Sequence, residues 1–305
     1  MILNQQKLFS EIYKCKSKEV LETIITDKKK IFIFNDKKKL SVLKVYLKGN
    51  VINEFKNEIK GYNYYKKKKI YKIPKLLNYS KKNIFYYIEL EYINSKKVNI
   101  FDFNKIFKLN VTLTKKIPSK NYIDSIPKFY RNKKNIKLIK IQDGIKKFLK
   151  KELYFNNLKL SYTHGDLAPY NCLKKDNYFY VIDFEKFKER IFLFDHINWL
   201  FIPIISNISH RLISNNYIFR NIFIINIFLK YLKSFIYFKL NKILDNYKIN
   251  KNEFTKYYLL YLYEKLFILL SDLKFISNSK NKIITKKKII MIKKNIANII
   301  QSEKY

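Results

Sequence analysis

Ser161-Tyr162-Thr163-His164-Gly165-Asp166-Leu167-Ala168-Pro169-Tyr170-Asn171 is the stretch on which the fold turns. A hairpin follows it: Cys172-Leu173, a polar turn over residues 174–177, then Tyr178 to Ile182. Asp183-Phe184-Glu185 stands where that second strand ends. The pattern is H-x-D-x-x-x-x-N, with an Asp twelve residues beyond the Asn and behind an apolar strand.

Phosphoryl transfer asks for this spacing. It needs a carboxylate near the attacking hydroxyl and oxygen ligands that hold Mg²⁺ against the phosphates. One loop can carry Asp166 to the nucleophile and Asn171 to a metal. A hairpin then returns the chain, so that Asp183 reaches the same metal from the other side. Nothing in the arrangement requires a covalent enzyme intermediate.

The rest of the chain is consistent with a two-part α+β protein. Upstream, Ile31-Phe32-Ile33-Phe34 reads as a strand, Asn35-Asp36-Lys37 as a turn and Leu40 to Leu47 as a second strand. Asn50 can cap a helix with an apolar stripe at Ile52, Phe55, Ile59 and Tyr62, in which Gly61 weakens the last turn. Lys75 to Tyr79 and Ile84 to Ile93 are two more strand candidates. Leu138 to Leu153 reads as an amphipathic helix, and Lys115 to Lys134 as a loop. From Phe192 onward the pattern is long, apolar and helical, with Tyr257 to Phe275 the clearest buried helix. Lys280 to Lys294 alternates Lys clusters with Ile and reads as a solvated amphipathic helix. The expected units are residues 1–93, rich in sheet, and 94–305, mainly helical.

Composition narrows the classes. The 305 residues include 64 Lys+Arg against 24 Asp+Glu, a net charge of +40. Such a surplus invites a nucleic-acid reading. Yet Arg occurs only at positions 131, 190, 211 and 220, and Ala only at 168 and 297. Lys, Asn, Ile, Tyr and Phe are abundant, which is the residue set of AT-rich codons. The Lys excess therefore reads as coding bias, and no specific nucleic-acid partner is expected. With 48 % hydrophobic residues the chain is too apolar to be disordered. Cys15 and Cys172 alone make no disulfide framework. The start lacks a signal peptide's apolar run, and the apolar stretches 197–205 and 222–229 are shorter than the ~20 residues of a membrane span. A cytoplasmic protein is the expectation, and its basic surface leaves peripheral contact with anionic lipid open.

The His164–Asn171 loop and Ile182-Asp183-Phe184-Glu185 together resemble the aminoglycoside phosphotransferase and choline kinase superfamily, the small-molecule branch of the protein-kinase-like fold. His164-Gly165-Asp166-Leu167 with Asn171 is similar to its H-G-D-L-x-x-x-N loop, and Ile182–Glu185 to its I-D-[FW]-E segment. Asp195 is similar to a further Asp that the family carries about twelve residues on. The resemblance covers roughly residues 28 to 205. It implies an α+β fold of two lobes with ATP between them. It implies Asp166 as catalytic base, Asn171 and Asp183 as Mg²⁺ ligands, and His164 as a brace for the loop. Val42-Leu43-Lys44-Val45-Tyr46 resembles the strand whose Lys holds the nucleotide phosphates and pairs with a helix Glu. Glu58 borders the inward stripe of the next helix and is the preferred partner over Glu54. Glu89-Leu90-Glu91-Tyr92-Ile93 resembles the hinge, where Glu91 and Ile93 would offer backbone groups to adenine.

Two departures bear on function. No glycine lies between Ile31 and Lys48, so a Gly-rich phosphate loop is missing. Asp183-Phe184-Glu185 replaces D-F-G, and no A-P-E follows, which argues against a protein kinase. The expected activity is ATP- and Mg²⁺-dependent transfer to a hydroxyl of a small molecule, choline, ethanolamine or a sugar. Glu185 and Trp199 are candidate acceptor-binding residues, acid and aromatic, suited to a quaternary ammonium. The rivals are a kinase-like protein without catalysis that senses nucleotide or binds a partner, and a Lys-driven nucleic-acid binder.

Overall fold

A computed structural model describes residues 12, 19–26, 29–36, 39–47, 51–69, 71–82, 85–107, 112–126, 143, 146–147, 157–213, 222–273, 276 and 278–302. The chain forms two compact units: Met1–Asn99 with Pro169–Phe187, and Ile100–Ala168 with Lys188–Tyr305. Asn50 and nearly all of 138–153 lie outside the described residues.

The first unit is built on a five-stranded antiparallel sheet. Its strands are β1 (Glu19–Ile25), β2 (Lys29–Asp36), β3 (Lys39–Leu47), β4 (Leu76–Lys82) and β5 (Phe85–Glu91), in the order β1-β2-β3-β5-β4. β1 lies upstream of the first strand expected from the sequence; its apolar residues do not alternate strictly with polar ones, and most of the strand is exposed. Strand alternation divides β2 and β3 between two faces. Phe32, Phe34, Leu43 and Val45 join Phe85 and Tyr87 in one apolar cluster. Lys44 and Tyr46 therefore point to the opposite face, and Lys29 sits across from Tyr46 in the register.

Between β3 and β4 runs α1 (Ile52–Lys68), which buries Phe55, Glu58, Tyr62 and Tyr65. Spacings of three and four residues place these on one stripe. Gly61 does not end the helix. A Cβ there would lie 2.5 Å from the Cβ of Phe184, so close packing is what requires glycine. β6 (Lys96–Lys97), β9 (Cys172–Lys175) and β10 (Tyr178–Val181) form a small second sheet in this unit. The hairpin read from the sequence is the β9–β10 pair, with Cys172 opposite Val181.

In the second unit a three-stranded sheet combines β7 (Leu113–Ile117), β8 (Leu158–Thr163) and β11 (Lys188–Ile191), with β8 central. The loop expected over 115–134 is corrected in part. Residues 115–117 pair with β8, and after Pro118 comes α3 (Ser119–Ser125), the short α2 (Phe103–Ile106) lying earlier in the unit, so the segment is ordered in part by contacts distant in sequence. The long helices are α4 (Phe194–Ile213), α5 (Ile222–Asn246), α6 (Lys251–Asp272) and α7 (Ser279–Ser302). α6 starts at a capping box between Asn250 and Glu253. It is buried on nearly all sides, as its apolar run implies. α7 is less solvated than its Lys content suggests: Ile284, Ile289, Ile292, Ile296 and Ile299 are buried. Asn295 on this face donates to the Tyr258 hydroxyl of α6 at 2.9 Å. Among the described residues, no helix is long and apolar enough to cross a membrane.

Candidate active site

In the first unit the pleat of β3 delivers Lys44 to α1 and to the turn after β10. Its Nζ donates to Glu58 Oε1 at 2.5 Å and to Asp183 Oδ1 at 2.9 Å. Lys29 Nζ donates to the same Asp183 oxygen at 2.7 Å and also to Glu185 Oε1. The Tyr46 hydroxyl donates to the other oxygen of Glu58. Lys44 and Glu58 are both buried. Burial opposes the charge on Lys44, but Asp183 and Glu58 outweigh it and hold the ammonium above its ordinary pKa. Burial likewise opposes the charge on Asp183, and Lys44 and Lys29 overcome it, holding the carboxyl well below the usual range. Glu185 goes the other way: burial and neighbouring Asp183 push it up to about 7.

Asp183 sits in the left-handed region at φ 71°, unusual for a residue with a side chain. That conformation turns the chain out of β10 and into the single helical turn Phe184–Lys186. Phe184 anchors the turn, fully buried against Tyr62 and Tyr65 with ring centroids 4.8 and 5.1 Å away. Asn57 Nδ2 donates to the Glu185 carbonyl at 3.2 Å. One carboxylate oxygen from each of Glu58, Asp183 and Glu185 falls within 4.8 Å of the others, a donor set of hard oxygens suited to a divalent cation such as Mg²⁺. Asn171 ends a short turn over Pro169–Asn171, and its carbonyl accepts the Ile182 N–H at 3.1 Å, one residue before Asp183.

In the second unit the loop after β8 is held from inside. Asp195, in the first turn of α4, accepts the His164 N–H at 2.7 Å and the Gly165 N–H at 2.9 Å, one on each carboxylate oxygen. His164 Nδ1 accepts the Asp166 N–H at 3.2 Å. Asn198 Nδ2 donates to the Leu167 carbonyl at 3.0 Å and its Oδ1 accepts from Tyr261. Gly165, at φ 85°, takes a conformation that a side chain would strain. Asp166 itself is paired with Lys265 of α6, whose Nζ donates to Oδ1 at 2.9 Å.

Of the residues singled out in the sequence, the structure gathers Lys44, Glu58, Asp183 and Glu185 in one cluster, and His164, Asp166 and Asp195 in another. Glu91 closes β5, its N–H donating to the Lys75 carbonyl at 2.9 Å and its carboxylate accepting the Lys75 N–H at 3.2 Å, and Ile93 is buried beyond it. Trp199 is not a cage wall. It is 0 % exposed, its indole N–H donates to the Ile100 carbonyl at 3.0 Å, and Phe107 packs edge-on 5.7 Å away. Its place on the apolar face of α4 sends the ring into the core. Glu185 pairs with Lys29 beside the carboxylate cluster. Sequence reasoning missed Lys29 and Lys265. Lys29 is one lysine in a lysine-rich run. Lys265 did carry a signal: Glu264-Lys265 interrupts a helix apolar all round, so both must be buried and must find partners.

No family model and no curated protein matches the chain. Solved structures do. A choline kinase from Streptococcus pneumoniae superposes with a TM-score of 0.56 at 13 % identity, covering 96 % of this chain and 97 % of that one. An amicoumacin kinase, solved with AMP-PNP and Ca²⁺, gives 0.53 at 11 % identity over 95 % and 93 % of the two chains. A thermostable mutant of an aminoglycoside phosphotransferase gives 0.53 at 11 % identity over 97 % and 98 %. At such identities the similarity is one of fold, and it spans nearly the whole chain. The chain has the protein-kinase-like α+β fold shared by aminoglycoside phosphotransferases and choline kinase, with a small antiparallel sheet in its N-terminal part and long helices in its C-terminal part.

Proposed function

We propose that this protein is an ATP- and Mg²⁺-dependent phosphotransferase that phosphorylates a hydroxyl of a small molecule. The observation that carries the reading is the buried Lys44–Glu58 pair tied to Asp183. Burying this much charge is costly and is not the economical way to stabilise a sheet. A protein retains it where an ammonium must be held ready for phosphates. Glu58 and Asp183 fix the Lys44 side chain, leaving its third N–H for a nucleotide oxygen. Asp183 and Asn171 would hold Mg²⁺, with Glu185 close at hand. Bound Mg²⁺ supplies neutralisation of the charge on the phosphates. Asp166 orients the acceptor hydroxyl and takes its proton. The acceptor oxygen forms the new bond to the γ-phosphorus, the bond to the bridging oxygen breaks, and ADP leaves. The fold neighbours named as choline, amicoumacin and aminoglycoside kinases support this reaction class.

Thermal unfolding with ATP, with and without Mg²⁺, tests the proposal. A ligand at 100 times its Kd stabilises the native state by about 2.7 kcal/mol. The expected result is a Mg²⁺-dependent rise in Tm that Asp183→Asn removes. No rise at millimolar ATP overturns the reading and favours a scaffold that binds partners without nucleotide.

A further inference from the structure

Asp166 is about one third exposed, at 32 %, whereas the side chain of Lys265 that binds it is only 3 % exposed. An ammonium buried this deeply needs a lasting anionic partner. Asp166 cannot remain an anionic partner throughout turnover, because it loses its charge when it takes the proton of the acceptor hydroxyl. A second amine compounds the demand. Lys288 of α7 is half-buried and interacts electrostatically with both Lys265 and Asp166; burial, then Lys265, lowers it to about 8.

Among the described residues, the carboxylates next to Lys265 in sequence, behind the loop and on the strand paired with β8 are already committed. Glu264, adjacent to Lys265, is bound by Arg190 at 2.9 Å and Lys188 at 2.7 Å and accepts from the Tyr122 hydroxyl. Asp195 is occupied by the two loop N–H groups. Glu189 accepts from Thr114 and pairs with Lys115. Among the described residues, Lys265 and Lys288 thus share Asp166 as their carboxylate, a surplus of one positive charge. Such a surplus repels choline or a polyamine sugar and attracts an anion.

We propose that the acceptor is an alcohol that also bears an anionic group, a phosphate or a carboxylate, and that Lys265 and Lys288 hold that group beside Asp166. The inference rests on the phosphotransferase reading and names its substrate class. It also agrees with Trp199, whose ring is buried in the core of the second unit.

The test compares matched acceptors with the full-length protein. Glycerol is set against glycerol 3-phosphate and glycerate, and ethanolamine and choline serve as cationic alcohols. Binding is read first, as Tm shifts in saturating AMP-PNP and Mg²⁺, and ADP release second. Glycerol 3-phosphate or glycerate should raise Tm where glycerol and choline do not, and the larger rise identifies the anion. Lys288→Gln and Lys265→Gln should each lower the preference for the anionic over the neutral acceptor about tenfold, through KM in turnover. A fold defect alone would leave that ratio unmoved. Preference for a neutral or cationic alcohol overturns the proposal, as does no acceptor-dependent shift. So does an equal fall in kcat for all acceptors in Lys265→Gln, which assigns that amine to the transferred phosphoryl group. A missing AMP-PNP shift, by contrast, is failure of the underlying phosphotransferase reading.

Discussion

Lys44 and Asp183, 139 positions apart in the chain, meet at 2.9 Å in the first unit. The contact joins β3 to the turn after β10, and Glu58 completes it from α1. Three separate segments are therefore held by one ammonium.

Removing that ammonium should be expensive. Lys44→Met leaves Glu58 buried with only the Tyr46 hydroxyl bound to it, and leaves Asp183 with Lys29 alone. Breaking a buried pair from one side costs about 3–5 kcal/mol. Urea unfolding should show a loss of this order, and the nucleotide-dependent rise in Tm should vanish. Glu58→Gln keeps an acceptor for Lys44 and should lose less stability. Equal stability of wild type and Lys44→Met would mean that the pair is not formed in solution.

A second prediction concerns the packing of α1 on the Asp183 turn. In Gly61→Ala the new methyl meets backbone-proximal atoms of Phe184, which cannot swing aside as the end of a long side chain can. Overpacking of this kind costs about 1–3 kcal/mol. Phe184→Ala in the same chain removes the Cγ and Cδ1 contacts and should recover part of the loss, although on its own it is destabilising. A double-mutant cycle reads the coupling. Additive losses would show that the helix and the turn do not touch through these residues.

His196 gives the pH prediction. It is buried in the second unit, its ring 4.4 Å from that of Phe107, and burial lowers its pKa to about 4 from an ordinary 6.5. Between these values the unfolded chain binds a proton that the native one refuses. Stability is therefore fully present above pH 6.5 and is lost as pH falls toward 4. The shift corresponds to about 3 kcal/mol at its limit. Other groups titrate in the same window, so the informative quantity is a difference between proteins. His196→Phe should flatten the decline in stability from pH 6.5 to 4. An unchanged slope would place the His196 proton equilibrium outside folding.

Much of the second unit's loop and the hairpin after it was legible because their residues are constrained locally. Gly165 is required by its backbone angle, and the β9–β10 turn by its polar residues. The strand with Lys44 and the helix with Glu58 were legible through period two and period 3.6. What stayed hidden depends on long-range partners. β1 and β7 bury few of their residues and are held as strands by the edges that β2 and β8 offer. Lys29 is indistinguishable by type among 60 lysines, and only its place opposite Tyr46 carries it to Asp183 and Glu185. Trp199 was misread because an aromatic near acid residues looks the same in a sequence whether it faces a ligand or the core. That Pro169–Phe187 packs with Met1–Asn99 is likewise a property of contacts and not of chain order.

The last prediction addresses how the Asp166 loop is held. Asp195 satisfies two buried N–H groups, those of His164 and Gly165, with its two oxygens. Burial pushes its carboxyl up, and His164 and the two N–H bonds only partly offset this, so the group is held as an acceptor against its own desolvation. Asp195→Ala orphans both donors, each at about 1–3 kcal/mol. Asp195→Asn can still accept one bond, so its loss of stability should be about half as large. Because the His164–Gly165 backbone sets the direction of Asp166, Asp195→Asn should lower kcat about 10–100-fold while the AMP-PNP shift in Tm persists. The order Ala worse than Asn in stability, with nucleotide binding retained in Asn, separates support of the loop from contact with nucleotide. Loss of the AMP-PNP shift in Asp195→Asn would contradict the assignment of Asp195 to the loop alone.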